Sequence, residues 1–309
     1  MKAIETHNLT KTFNGVIAVD RVNLSVEEGE IFGFLGPNGA GKTTTVKLLT
    51  TLLRPTSGTA KICGYDVVKQ RSKVREKIGV VFQEPALDTE LTGRENLDFH
   101  ARMYGLSRKE RKERIEYVLN LVDLVDRADD LVRSYSGGMK RRLEIARSFM
   151  HSPKVLFLDE PTLGLDARAR FTVWNYIKRL NKEEGITIFL TTHYMEEADK
   201  LSDRVAIINN GKILVMGKPK ELKNRIGKDV ISIMCSHPEK LREIVERTDL
   251  NVVRTTNNLL VVSVNHGEEK IPMIVEVANE NGIRIESISL HKPNLDDVFL
   301  HYTGRKLGG

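Results

Sequence analysis

The chain has 309 residues, 40% of them hydrophobic and 29% charged, and 48 Lys and Arg against 42 Asp and Glu give it a net charge of +6. That is the balance of a globular protein with room for one large and one small domain, or two of medium size. It holds no apolar run near the roughly 20 residues that span a bilayer, and no Lys/Arg block interleaved with aromatics that would argue for nucleic acid.

Residues 4–9 and 22–26 read as strands, broken by the turn pairs Asn14-Gly15 and Glu28-Gly29. Residues 30–35 form an apolar strand that runs into a glycine-rich loop and then a helix from 42 to about 53, which Pro55-Thr56-Ser57-Gly58 ends. A buried strand at 78–82 is followed by helical patterns at 94–104, 108–124 and 137–150. Strands and helices then alternate: 155–158, 167–183, 187–191, 195–201, 205–209 and 212–216. This order predicts a largely parallel sheet covered by helices, with a helical subdomain inserted over residues 84–152.

The composition shifts after Met216. Residues 219–228 are charged, hold Pro219 and Gly227, and read as a linker with a short helix. Beyond them, strand 230–235, helix 238–247, strands 251–255 and 259–265, helix 268–281 and strand 283–290 predict a small α+β domain over 229–309. Its β-α-β-β-α-β order is ferredoxin-like. A last helical stretch covers 294–302. Cys63 and Cys235 lie far apart without metal spacing and read as reduced, inert thiols. Residues 1–7 lack the apolar core of a secretory signal, so the chain is expected to stay in the cytoplasm. The mild basicity suits an anionic ligand or membrane surface, and equally a solvated surface.

Three segments carry chemistry. Gly36-Pro37-Asn38-Gly39-Ala40-Gly41-Lys42-Thr43 matches a phosphate-binding loop. Such a loop curls its backbone N–H groups inward and adds a helix N-terminus. Lys42 is expected at the β- and γ-phosphates, Thr43 on Mg²⁺ and Thr44 near the α/β region. The apolar run Val155-Leu156-Phe157-Leu158 ends in Asp159-Glu160. There the first carboxylate suits the Mg²⁺ shell and the second can polarise an attacking water. The same pair is also a common N-cap signal for a following helix. Tyr135-Ser136-Gly137-Gly138-Met139 opens a helix. Ser136 is a natural N-cap, yet two glycines after it weaken a helix unless close backbone approach is wanted.

In this order, with Gln83 in Val81-Phe82-Gln83-Glu84, Gly164-Leu165-Asp166 and Thr191-Thr192-His193, residues 2–220 resemble the ATP-binding subunits of ABC transporters. The resemblance implies an α/β P-loop NTPase core over 1–218, and two subunits that sandwich two ATP molecules head to tail. It implies that Phe13 stacks on adenine and that Gly36, Asn38, Gly39, Ala40, Gly41, Lys42, Thr43 and Thr44 cradle ATP. Ser136, Gly137 and Gly138 would contact the opposite γ-phosphate, and Asp166 would bridge the dimer. Glu160 would be the base and His193 would contact the γ-phosphate. Gln83 would reach Mg²⁺ and water, with Thr43 and Asp159 as the other metal residues. By the residues alone, Phe13 serves equally as a core aromatic, Gln83 as a surface amide and His193 as a structural imidazole.

Phe13 stands where Tyr is usual, Tyr135 and Met139 replace Leu and Gln, and Leu163-Gly164 replaces Ser-Ala. The tail from Asn294 to Arg305, with Leu295-Asp296-Asp297-Val298-Phe299-Leu300, resembles the daunorubicin-resistance branch of multidrug exporters. That branch implies export through a separate membrane permease, and a homodimer or a pair with a similar ATPase subunit at the inner face of the membrane. The permease would touch residues near 83–91. An uptake ATPase, a soluble ABC ATPase on ribosomes or DNA, and a ligand-binding role for residues 229–309 are the rival readings.

Overall fold

A computed structural model describes residues 1–248 and 250–303. Gly304 and Arg305 of the tail, and the end of the 229–309 segment, lie outside the described residues. The chain forms two compact units, Met1–Pro219 and the part that begins at Lys220.

The first unit starts with a hairpin of β1 (Lys2–Phe13) and β2 (Val16–Glu27), turned at Asn14-Gly15, where both residues take positive φ. Next come β3 (Ile31–Leu35), α1 (Lys42–Leu49), β4 (Ser57–Ile62), β5 (Tyr65–Asp66), α2 (Arg71–Lys77) and β6 (Ile78–Val81). Three helices follow: α3 (Gly93–Met103), α4 (Arg108–Leu121) and α5 (Gly137–Ser148). Thr92 with Glu95 and Ser107 with Glu110 close capping boxes that fix the starts of α3 and α4. The rest is β7 (Val155–Asp159), α6 (Ala167–Glu184), β8 (Thr187–Thr192), α7 (Met195–Leu201), β9 (Arg204–Asn209) and β10 (Lys212–Gly217).

A six-stranded sheet in the order β10-β9-β3-β8-β7-β6 is parallel except for its edge strand β10. Its central strands are buried on both faces, which is why they read as unbroken apolar runs. On one face, Phe32, Phe34 and Phe157 gather around Phe189 with ring centroids 5.4–5.7 Å apart. On the other, Leu156, Leu158, Ile188 and Leu190 share a core with the helices inserted between β6 and β7. The C-termini of the five parallel strands, and the loops after them, meet at one edge, where ligands bind in such sheets.

The first strands lie outside the parallel sheet and form an antiparallel one in the order β2-β1-β4-β5. Residues 59–77, to which the sequence reading assigns no element, complete β4 and supply β5 and α2. Ser57-Gly58-Thr59 is a poor strand by propensity, and pairing with β1 overrides that. Helix α1 also stops at Leu49, not near 53, because Thr51 turns to a φ of 67°.

The second unit holds α8 (Pro219–Ile226, its first residue before the division), β11 (Asp229–Cys235), α9 (Pro238–Val245), β12 (Asn251–Thr255), β13 (Leu259–Val264), α10 (Gly267–Glu280), β14 (Ile285–His291) and α11 (Leu295–Thr303). Its sheet runs β12-β13-β11-β14 with every pair antiparallel, the split β-α-β arrangement of a ferredoxin-like domain. Ile231, Ile233, Leu260 and Val262 form its core with Leu241 and Ile274 from α9 and α10.

In the first unit, Tyr104 stacks on His151 at 3.8 Å between ring centroids and leans on His100 at 5.1 Å. Burial first, and then the charges of Arg147 and His151, push the His100 imidazole from 6.5 down to about 4. The folded ring stays neutral where the unfolded chain takes a proton. Its stabilising contribution is therefore complete above about pH 6.5 and is lost as the pH falls toward 4. The melting temperature is expected to drop over that window, and His100→Asn to drop less steeply; identical acid profiles would contradict this.

Candidate functional site

The loop between β3 and α1 is shaped by its glycines. Gly41 has φ 106°, and a Cβ there would stand 2.4 Å from the Ala18 carbonyl oxygen. Gly39, at φ 77°, has nothing within 4 Å of its missing side chain, so bare backbone faces outward. No side chain caps α1 at Gly41, which suits its N-terminus to an anion. Asn38, Gly39, Gly41, Lys42, Thr43 and Thr44, with Gln83 after β6, Glu160 after β7 and His193 after β8, line one cleft of about 410 Å³. Gly36 and Ala40 lie behind it: the Gly36 carbonyl accepts from Lys42, and Ala40 is buried.

Charge inside the cleft is closely paired. Lys42 Nζ donates to the carbonyls of Gly36 (2.8 Å) and Pro37 (3.0 Å) and lies 3.1 Å from Glu160 Oε1. His193 Nδ1 lies 2.8 Å from Glu160 Oε2. Glu160 is buried and adopts a φ of 50°, rare for a residue with a side chain. Its N–H donates to both the carbonyl and the hydroxyl of Thr191 at 3.1 Å.

Asp159 is buried at the end of β7. Oδ1 accepts from the Thr191 hydroxyl, and Oδ2 is buried with no partner. A buried carboxylate oxygen without a partner is costly. A divalent cation would satisfy it. Oxygen donors from Asp159, Thr43 and Gln83 are the hard ligands that suit Mg²⁺.

Other expected residues stand apart from this cleft. Phe13, at the end of β1, is 42% exposed, with Lys11 Nζ 4.9 Å from its ring centroid. Ser136 accepts from the Met139 N–H at 3.3 Å as the N-cap of α5, and it is exposed with Gly137. Gly138 packs its backbone toward Ala169, where a Cβ would meet 3.0 Å of separation. Asp166 is exposed and caps α6 through Ala169 N–H at 2.8 Å. Ser136, Gly137, Gly138 and Asp166 do not line the cleft.

Sequence reasoning misses Thr191, whose hydroxyl ties Asp159 to Glu160, and Arg141, a buried cation on α5 that touches the backbone of both. Arg141 has a signal in retrospect: it sits on the inward stripe of an amphipathic helix, three residues before Glu144.

A parallel sheet whose strand ends converge on a glycine loop, a buried lysine and two carboxylates defines a P-loop nucleotide hydrolase. Two family profiles match the chain: "ABC transporter" over residues 19–163, and "ATP-binding protein DrrA1-3-like, C-terminal domain" over residues 217–303. The daunorubicin resistance ATP-binding protein DrrA3 of Streptomyces coeruleorubidus is 41% identical over 98% of this chain and 96% of its own. The Nod factor export ATP-binding protein I of Cupriavidus metallidurans is 39% identical over 98% of each. A dimeric ATP-binding cassette, solved in a post-hydrolysis state bound to ADP and Pi, covers 70% of this chain and 98% of its own. Its TM-score is 0.63 at 29% identity. The chain belongs to the ATP-binding subunits of ABC transporters, and its activity is ATP hydrolysis.

Proposed function

We propose that this chain powers export of a drug, lipid or other amphipathic compound through a separate membrane permease. It would do so as an ATP-dependent homodimer, or beside a similar ATPase subunit, at the cytoplasmic face of the membrane. The observation that carries the reading is the split of the expected residues. The loop, Gln83, Glu160 and His193 share one cleft, while Ser136, Gly137, Gly138 and Asp166 stand away from it on the solvent side. A second chain, set head to tail, would bring its Ser136-Gly137-Gly138 turn and helix N-terminus against the first chain's γ-phosphate. The names of the relatives, daunorubicin resistance and Nod factor export, support the direction of transport.

In this reading the loop backbone and Lys42 hold the phosphates, with Thr43 and Thr44 at their edge. Phosphate oxygens would take over the Lys42 partners now supplied by Gly36, Pro37 and Glu160. Asp159, Thr43 and Gln83 would hold Mg²⁺, which neutralises developing charge on the phosphoryl group. Glu160, still oriented by His193, would accept the proton of the attacking water, and Gln83 would align that water. Phe13 would stack on adenine. Phe13→Ala should then weaken ATP binding about tenfold, a stacking loss of roughly 1.4 kcal/mol. An unchanged affinity would leave Phe13 as a surface aromatic.

Among the described residues no helix is long and apolar enough to cross a membrane. Leu52, Phe99, Met103 and Tyr104 are 40–70% exposed. Leu52 and Tyr104 flank a groove that Phe82, next to Gln83, also lines. An apolar patch of this kind suits a protein partner, and we assign it to the permease. Residues 229–309 are proposed to serve dimer contact and stability. The test is affinity purification of the tagged full-length protein from gently solubilised native membranes, with mass spectrometry of what comes with it. A polytopic membrane protein in about equal amount is the expected result; ribosomal or DNA-bound partners instead would overturn the transport reading.

A further inference from the structure

The helix that presents Ser136-Gly137-Gly138 also grips the chain's own hydrolytic residues through one side chain. Arg141 lies one turn into α5 and is 7% exposed. A guanidinium has five N–H donors, and here the five contacts use all three of its nitrogens. Nε donates to the Pro161 carbonyl at 2.7 Å. One terminal nitrogen donates to the Phe82 carbonyl at 2.6 Å and to Glu144 Oε2 at 2.9 Å. The other donates to the carbonyls of Asp159 at 3.2 Å and Glu160 at 2.9 Å. Glu144 extends the grip, because its Oε1 accepts from the Ala86 N–H at 2.9 Å.

We propose that Arg141 is a positioning residue for Glu160 and Gln83, and that it makes α5 the element through which the Ser136-Gly137-Gly138 turn sets the geometry of this chain's own site. The proposal rests on the roles assigned above to Glu160 and Gln83. Three facts favour positioning over simple packing. A buried ion pair is weak evidence for stability, since well-packed apolar side chains often serve as well. An apolar side chain could not fix three successive carbonyls, however, and those of Asp159, Glu160 and Pro161 all converge on Arg141. Second, Glu160 holds a left-handed backbone, which is strained for a residue with a side chain and persists only where its surroundings determine it. Thr191 grips its N–H side and Arg141 its carbonyl side. Third, the Phe82 carbonyl immediately precedes Gln83, so one side chain sets the spacing of the base and the water-aligning amide. An anion drawn to the N-terminus of α5 would pull on a helix that is hydrogen-bonded to the base of the other site.

The test compares Arg141→Met and Arg141→Lys with wild type, full-length and purified, by kcat and KM for ATP and by direct ADP binding. Lys keeps the charge and the pairing with Glu144 but has one nitrogen, so it cannot span the acceptors. Both variants are expected to lose about 100-fold in kcat, the scale of an ångström-level misplacement, with ADP affinity within about threefold. Full turnover in Arg141→Lys would show that charge alone matters and would overturn the proposal. So would an equal loss of kcat and ADP affinity in Arg141→Lys, which would signal collapse of the site. If Arg141→Met does not fold, Arg141→Lys alone decides. In a background with both Glu160→Gln and Gln83→Ala, Arg141→Lys should cause little further loss; a second full decrement would place its action elsewhere and overturn the proposal. Should Glu160→Gln itself turn over at the wild-type rate, the base assignment falls and the proposal with it. A silent Arg141→Lys beside an inert Glu160→Gln sinks the proposal alone.

Discussion

Glu160→Gln should lower kcat about 10³-fold, the scale of a lost general base, while ATP still binds. The geometry explains why the two effects separate. The Glu160 carboxylate stands in the cleft between Lys42 Nζ at 3.1 Å and His193 at 2.8 Å, with its backbone fixed by Thr191. Glutamine keeps that shape but cannot accept a proton at neutral pH. The glycine loop is untouched, and Lys42 retains its bonds to Gly36 and Pro37. The check is single-turnover hydrolysis beside ATP binding by equilibrium dialysis. Turnover at the wild-type rate would sink the assignment of Glu160, and parallel loss of binding would make its role structural.

Lys42→Ala should abolish measurable ATP binding and also destabilise the nucleotide-free protein. Both Lys42 and Glu160 are largely buried, with side-chain exposures of 4% and 8%. Removing one partner of such a pair leaves an uncompensated charge, at about 3 kcal/mol. For a unit of this size that is roughly 6–12 °C in melting temperature. Adding Glu160→Gln to Lys42→Ala removes the stranded carboxylate and should recover part of the loss, because no charge is then left without its partner. A calorimetric comparison of the three variants decides this. A double variant less stable than Lys42→Ala would mean that the contact of Glu160 with His193, at 2.8 Å, outweighs its pairing with Lys42.

Much of this was legible in the sequence because the site is built from contiguous motifs. Gly36 to Thr43, Asp159-Glu160 and His193 each follow a buried strand, and apolar runs mark those strands clearly. Their convergence follows from parallel topology, which places the C-termini of β3, β6, β7 and β8 at one edge. What stayed hidden depends on pairing between distant segments. Strand β4 has Gly58 and little apolar alternation, and it exists because β1 offers it hydrogen bonds. Arg141 looks like one more cation in Lys140-Arg141-Arg142, and only the fold shows that Arg141 turns inward to Asp159, Glu160 and Pro161. Arg142, its neighbour, instead bonds the carbonyls of Val122 and Asp123. Thr191 is likewise unremarkable until β7 and β8 lie side by side with Asp159 opposite it.

The central claim is that one chain holds half of each ATP site. Native mass spectrometry of full-length Glu160→Gln, with and without ATP, tests it most directly. The account predicts a single chain without nucleotide, and two chains carrying two ATP molecules with it. It further predicts loss of the dimer, but not of ATP binding, when Ser136→Glu is added. One chain carrying one ATP at every concentration, in a protein that still hydrolyses ATP normally without the substitution, would contradict the shared site.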